Sequence, residues 1–167
     1  MVSVPLPENN DGGRRGFGKG RDDEPNFEAL PDSLPPQNLE AEEAVLGGIL
    51  LDPDAIGRVA DVLQPEAFYL NAHREIFRTA LMLHGQGKPT DLTAMSAWLA
   101  DTGALEKVGG NNRLVELVER VPSTASIEQV ARLVMDKFLR RQLIRSGNEV
   151  IQLGFDQSLP MEQVLDQ

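Results

Sequence analysis

Cysteine is absent from the 167-residue sequence, which excludes a disulfide framework and any metal site built from thiolates. Long apolar runs are missing too, since the longest, residues 44–51, falls far short of the ~20 residues that cross a bilayer. Residues 1–10 lack the basic and then apolar order of a secretory signal. We therefore expect a chain of the reducing cytoplasm, without a membrane partner.

Basic residues are scarce relative to acidic ones. The sequence has 16 Lys and Arg against 26 Asp and Glu, a formal net charge of -10. Because nucleic-acid binding depends largely on Lys and Arg contacts to phosphates, this balance disfavours DNA binding as the main task of the chain. The length suits one domain, and a mean hydropathy of -0.27 leaves no surplus apolar surface for lipid.

Proline and glycine are concentrated in the first 36 residues, where few large apolar side chains could offset the entropy cost of ordering. We predict that residues 1–36 form a disordered tail. Within it, residues 13–20 (GRRGFGKG) fit the phosphate-binding pattern G-x-x-x-x-G-K-[ST], except that Gly20 replaces the hydroxyl residue that would hold Mg²⁺. No buried strand or helix flanks the segment, so we interpret it as a basic tail.

From Asn38 onward, apolar residues recur at three- and four-residue intervals, as one face of a helix requires. Asn38 is a predicted N-cap with acidic residues in the turn that follows. Asp52 with Pro53 at the first helical position predicts a second helix, Asn71 a third and Asp91 a fourth, and glycines end the runs between them. We predict an all-α fold in which residues 37–110 form a compact helical head.

Residues 111–153 contain two apolar helical segments joined by residues 122–125 (PSTA). Ser126 and Gln129 have the spacing of a capping box at the start of the second segment. Its apolar residues fall on two stripes, one between residues 127 and 138 and a second through Leu139, Leu143, Val150 and Ile151. We predict an antiparallel helical hairpin with one stripe against its own domain and the other free for another copy. The residues assigned to self-association are Leu114, Leu117, Val121, Val130, Val134 and Phe138.

Candidates for chemistry are few. His73 and His84 lack the HExxH or clustered carboxylates of a metal site, and His73 is interpreted as a local hydrogen-bonding group and not as a catalyst. Glu40, Glu42 and Glu43 are explained by the helix dipole and by solvation. We therefore assign no catalytic, cofactor-binding or metal-binding residue.

A basic cluster and a single tryptophan complete the candidates. The cluster comprises Lys137, Arg140, Arg141 and Arg145. A solvated or ion-paired face is the first interpretation, and a protein interface or DNA contact stay open behind it. Trp98 is predicted to pack in the core.

Several sequence blocks occur in the order found in a known family. They are residues 36–50 (PQNLEAEEAVLGGIL), 68–69 (FY), 73–77 (HREIF), 87–93 (GKPTDLT), 103–110 (GALEKVGG), 122–125 (PSTA), 136–137 (DK) and 140–144 (RRQLI). Together they resemble the N-terminal domain of bacterial replicative DNA helicases of the DnaB family. The resemblance covers residues 36 to about 153 and leaves the glycine-rich tail without a counterpart.

This resemblance implies a collar domain that organises a hexameric ring by self-association, from dimer to hexamer, and binds the C-terminal domain of primase. A helicase loader is a further candidate partner. In that family ATP, Mg²⁺ and DNA are handled by a separate motor domain, toward which residues 154–167 would begin a linker. We expect no cofactor and no catalysis in this chain. The alternatives are a free-standing helical adaptor and, more remotely, an enzyme that uses His73 with the carboxylates.

Overall fold

The computed structural model describes residues 34–121, 126–156, 158, 160 and 162. Every regular element in these residues is helical, which confirms the all-α prediction. The helices are α1 (Leu39–Leu51), α2 (Ala55–Val59), α3 (Asn71–Gly85), α4 (Leu92–Asp101), α5 (Gly110–Glu119) and α6 (Ile127–Phe155), with 3-10 turns at Pro65–Ala67 and Glu106–Val108. The predictions for the tail up to residue 33, the GRRGFGKG segment, the turn at 122–125 and most of residues 157–167 lie outside the described residues.

Two helix starts show the predicted capping chemistry. Asn38 Oδ1 accepts the N–H of Ala41 at 3.0 Å, and Asp91 Oδ1 accepts the N–H of Ala94 at 2.9 Å. Each bond satisfies a backbone donor that has no partner within its own helix. The sequence signal at these two positions was therefore sufficient to place the beginning of α1 and α4.

Three other capping predictions are wrong. Asn71 is the first residue of α3 and not its cap, because Leu70 occupies the N-cap position and makes no side-chain cap bond. Helix α2 begins at Ala55 and not at Pro53, because the Asp52 carboxylate binds the N–H of Asp54 at 3.1 Å and the guanidinium of Arg58 at 3.0 Å. These bonds close a turn between α1 and α2. Ser126 occupies the N-cap position of α6, but its ψ of 20° lies outside the extended region typical of a capping residue and its side chain makes no cap bond.

Helix α1 lies at the centre of the packing, because α5 and α6 both run along it. Val45, Leu46 and Ile49 are buried on α1. The contact with α5 is closest at Gly47, where a Cβ atom would come within 2.8 Å of the Leu117 carbonyl carbon and closer still to its oxygen and to Cγ2 of Val121. Only a residue without a side chain permits this approach of two helices.

The core continues past residue 110, where the predicted head ends. Leu114 and Leu117 of α5 and Val134 of α6 belong to the same buried cluster as the α1 residues. In the described residues α5 and α6 share few direct contacts, because each packs on α1 instead. Residues from Leu34 onward accordingly form one unit. None of the helices in the described ranges has the length and apolar character needed to span a bilayer.

Candidate interaction surface

The six residues predicted to mediate self-association lie mostly in the chain's own core. Leu114, Leu117 and Val134 are at most 1% exposed and Phe138 is 8% exposed, while Val121 and Val130 are half-buried. Side chains without accessible surface cannot form an apolar face for another copy. Four of the six predicted residues thus lie on the side that the fold turns inward, whereas Val121 and Val130 keep part of their surface accessible.

The second apolar stripe of α6 is the exposed one. Its members are accessible over about half to three quarters of their surface: Leu139 59%, Leu143 77%, Ile144 46%, Val150 68% and Ile151 50%. We call these five residues the exposed stripe and residues 139–152 the arm. Contiguous apolar surface of this kind on a folded chain marks an interaction site.

The apolar side of α6 changes at the start of the arm. At about 100° per residue, Ile127, Val134 and Phe138 share one side of the helix, and this side is buried against the head. Along the arm the same side carries Arg145 and Gln152, both exposed, whereas the exposed stripe lies on the roughly opposite side. The arm therefore turns its apolar surface away from the rest of the chain.

A buried polar network joins α1 to α3 and α5. Glu42, 1% exposed, accepts the N–H of Tyr69 at 2.7 Å and contacts Nδ1 of His73 at 2.8 Å. Nη2 of Arg113 lies 3.2 Å from Nε2 of His73. Because a guanidinium can only donate, Nε2 accepts, and the His73 proton sits on Nδ1 and is donated to Glu42. The interpretation of Glu42 as a solvated residue at the helix end is thus wrong, whereas His73 is a hydrogen-bonding group as predicted.

This network has no accessible chemistry. Both ring nitrogens of His73 are occupied, and the Glu42–His73 pair is sealed from solvent, so a substrate could not reach it. Among the described residues no group of three or more His, Asp or Glu side chains could hold a metal ion. The geometry thus offers no support for an enzyme built on His73.

Glu43 links the network to the end of α5. Its carboxylate accepts from Arg113 at 2.6 Å and from Arg120 at 2.8 Å, and Arg113 also reaches Glu116 at 3.2 Å. Burial acts to raise the pKa of Glu43, but the hydrogen bonds from Arg113 and Arg120 together outweigh it, so the pKa is lowered. The hydrogen bond to Glu43 raises the pKa of Arg113. These ion pairs fix α5 beside α1.

The basic cluster on α6 divides into two kinds of residue. Asp136 pairs with Arg140 at 3.0 Å and with Lys137 at 3.6 Å, and Arg145 is exposed, which fits the solvated and ion-paired interpretation. Arg141 differs, because its guanidinium donates hydrogen bonds to the backbone carbonyls of Pro36 and Ala67. Burial lowers its pKa.

Two further features flank α1. A groove of about 340 Å³ lies between α1 and α6 and is lined by Asn38, Glu40, Ala41, Ala44, Ser126, Ile127, Val130 and Leu133. Trp98 is half-buried against the core, with Nζ of Lys88 4.8 Å from its ring centroid, so its predicted packing is confirmed in part. Neither feature brings reactive groups together.

In the part of the chain that the structure describes, a buried polar network and an arm with outward apolar surface define a helical domain whose accessible features are those of an interaction surface. Residues 34–136 match the family model described as DnaB-like helicase N terminal domain. The chain belongs to this family. Family membership favours the prediction of a helicase N-terminal domain over the alternative of a free-standing adaptor.

Similar proteins include full-length helicases and a solved domain. The chain is 58% identical over 134 residues to the replicative DNA helicase DnaB of Nostoc sp., covering 80% of this chain and 15% of the relative. It is 41% identical over 138 residues to the replicative DNA helicase DnaC of Bacillus subtilis, covering 83% and 30%. The crystal structure of the N-terminal domain of DnaB helicase from Mycobacterium tuberculosis matches with a TM-score of 0.74 and 38% identity, covering 80% of this chain and 94% of that one.

A second solved structure, of a DnaB-like replicative helicase and its interactions with primase, matches with a TM-score of 0.66 and 30% identity, covering 77% of this chain and 30% of that chain. The chain thus spans less than a third of the two helicases compared above. What it shares with them is the N-terminal domain.

Proposed function

We propose that this domain is the collar of a replicative DNA helicase and that it assembles subunits through the arm of α6. The exposed stripe carries the proposal, because it is the apolar surface that the fold directs away from the head. Covering a fully exposed large apolar side chain contributes roughly 1.5–3 kcal/mol, and side chains that are 46–77% exposed contribute about half to three quarters of that. Five such side chains on each of two copies can outweigh an association cost of about 4–15 kcal/mol.

The assembly is proposed to recruit the C-terminal domain of primase and so to couple primer synthesis to unwinding. The solved relative that is described with its primase interactions supports this partner. A helicase loader is a second proposed partner. ATP, Mg²⁺ and DNA are assigned to a motor domain outside this sequence, and the proposed compartment is the bacterial cytoplasm.

The self-association step is tested by Leu143→Asp, which places a carboxylate in the middle of the exposed stripe. The matched control is Gln152→Asp, which adds the same charge on the opposite side of the same helix. We expect light scattering to show a lower average mass for Leu143→Asp and an unchanged mass for Gln152→Asp, because an unpaired charge is costly only at a buried contact. Equal masses for wild type and Leu143→Asp would remove the arm as the assembly surface.

Primase recruitment is tested by calorimetric titration of the chain with the C-terminal domain of primase from the same organism. Saturable heat is the expected result. Titrating Leu143→Asp in parallel shows whether recruitment depends on assembly, since a monomeric variant that still binds would locate the primase site within a single head. Absence of heat with the self-associated wild type would contradict the recruitment proposal while leaving self-association intact.

A further inference from the structure

Arg141 is the last residue of α6 that is attached to the head by hydrogen bonds. The buried stripe ends at Phe138, and residues 143–152 are all exposed. Within the described part of the chain, no side-chain hydrogen bond or ion pair joins residues 142–153 to the head. Among the described residues, the arm is therefore bonded to the head at its base.

The attachment at Arg141 uses both terminal nitrogens of one rigid group. Nη1 donates to the carbonyl of Pro36 at 2.7 Å and Nη2 to the carbonyl of Ala67 at 2.6 Å. The guanidinium also lies over two rings, with its Cζ 5.7 Å from the centroid of Tyr69 and 5.9 Å from that of Phe138. A planar fork that satisfies two acceptors at once restricts rotation of the helix that carries it.

We call the two hydrogen bonds from Arg141 to the carbonyls of Pro36 and Ala67 the clamp. The segment that carries the Ala67 carbonyl is itself held in place. The N–H of Tyr69 is held by the buried Glu42 carboxylate at 2.7 Å, and the carbonyl of Phe68 accepts from Nε of Arg74 at 2.7 Å. The segment that presents the Ala67 carbonyl is thus bonded to α1 on one side and to α3 on the other. Movement of the arm has to break the bond from Arg141 to the Ala67 carbonyl, because this acceptor cannot follow.

We infer that Arg141 is the residue that sets the angle at which the arm leaves the head. With the clamp closed, head and arm move as one body. With the clamp open, the helix bends or tilts in the turn after Phe138, because no other side-chain hydrogen bond or ion pair between residues 142–153 and the described head restrains it. This inference concerns a single chain and holds whether or not the arm mediates assembly.

The test is a distance measurement between head and arm by double electron–electron resonance. The native sequence has no cysteine, so Asp101→Cys on the head and Gln152→Cys on the arm can be spin-labelled without background. Labelled chains are diluted into excess unlabelled wild type, which removes distances between copies. The variants compared are Arg141→Gln and, as matched control, Arg140→Gln, which removes the neighbouring guanidinium that pairs with Asp136 on the same helix.

We expect a distance distribution for Arg141→Gln that is broader than those of wild type and Arg140→Gln, while circular dichroism shows the head still folded. A wild-type width in folded Arg141→Gln would overturn the inference. If Arg141→Gln fails to fold, Arg141→Lys decides, because it keeps the charge and the aliphatic stem but not the planar fork. Broadening in Arg141→Lys supports the inference, and a wild-type width overturns it.

Discussion

Replacing Gly47 with alanine adds one methyl group at the closest contact between α1 and α5. The new Cβ would lie 2.8 Å from the Leu117 carbonyl carbon and nearer to the carbonyl oxygen. Cγ2 of Val121 is also in the way, but the two Leu117 atoms are backbone, so no rotamer change relieves the clash and the two helices must separate. Such overpacking costs typically about 1–3 kcal/mol, which exceeds the roughly 1 kcal/mol that alanine gains over glycine within a helix.

The same substitution at Gly57 is the matched control. There the nearest atoms to a new Cβ are Cε1 and Nε2 of His84 at 3.8 and 4.0 Å, an ordinary contact distance. Without a clash, the helix propensity of alanine should leave Gly57→Ala as stable as wild type, or more stable by up to about 1 kcal/mol. The two variants therefore have opposite expected signs for one chemical change.

Urea denaturation followed by circular dichroism measures both variants. For Gly47→Ala we expect a lower midpoint with an unchanged slope, and a melting temperature lower by roughly 2–8 °C for each kcal/mol lost. A Gly47→Ala protein as stable as wild type would show that α1 and α5 are not in contact as described, and would refute the packing argument directly.

Two further outcomes follow from burial and charge. Leu117→Asp should lose its helical circular dichroism signal, since a charge at a fully buried position costs more free energy than the marginal stability of a folded chain can offset. A Leu117→Asp variant that is folded but monomeric would instead identify Leu117 as an assembly contact. Because the folded pKa of Glu43 is lowered, its stabilising effect is complete above the unfolded carboxyl pKa of about 4.3 and is lost as the pH falls through the folded value. Glu43→Gln should therefore lose less stability than wild type between neutral pH and acid, as compared by urea midpoints, and an identical acid loss in both would contradict the ion-pair assignment.

Local signals in the sequence were sufficient at several positions where the determining atoms lie within a few residues of each other, although they failed at Asp52, Asn71 and Ser126. The caps at Asn38 and Asp91 are of this kind, and so is the separation of α6 into two apolar stripes. Which stripe faces inward depends on how α6 packs on α1, and periodicity contains no information on that choice. The sequence therefore predicted that one stripe would be free for another copy. It did not show which stripe this is, and most of the residues named for self-association lie in the core.

The polar contacts were missed for a related reason. The acceptors of Arg141 lie 105 and 74 residues away in the sequence, so nothing near Arg141 distinguishes it from Arg140. Glu42 did leave a signal, because it shares the helical face of Val45, Leu46 and Ile49 and was bound to be buried with them. A carboxylate on a buried face requires partners, and His73 and the Tyr69 N–H supply them.

Because the apolar side of α6 changes after Phe138, the direction in which the exposed stripe points depends on the number of residues between Phe138 and the stripe. Each residue inserted between Phe138 and Leu143 would rotate the exposed stripe by about 100° around the helix axis, so a single insertion would aim it at a different neighbour. Seven inserted residues complete nearly two turns and would restore its direction while lengthening the arm by roughly 10 Å. Length variation in this segment is therefore compatible with an unchanged mode of assembly only when the insertion is close to a whole number of helical turns, as for about 7, 11 or 18 residues, which gives protein engineers a way to alter subunit spacing without redesigning the contact.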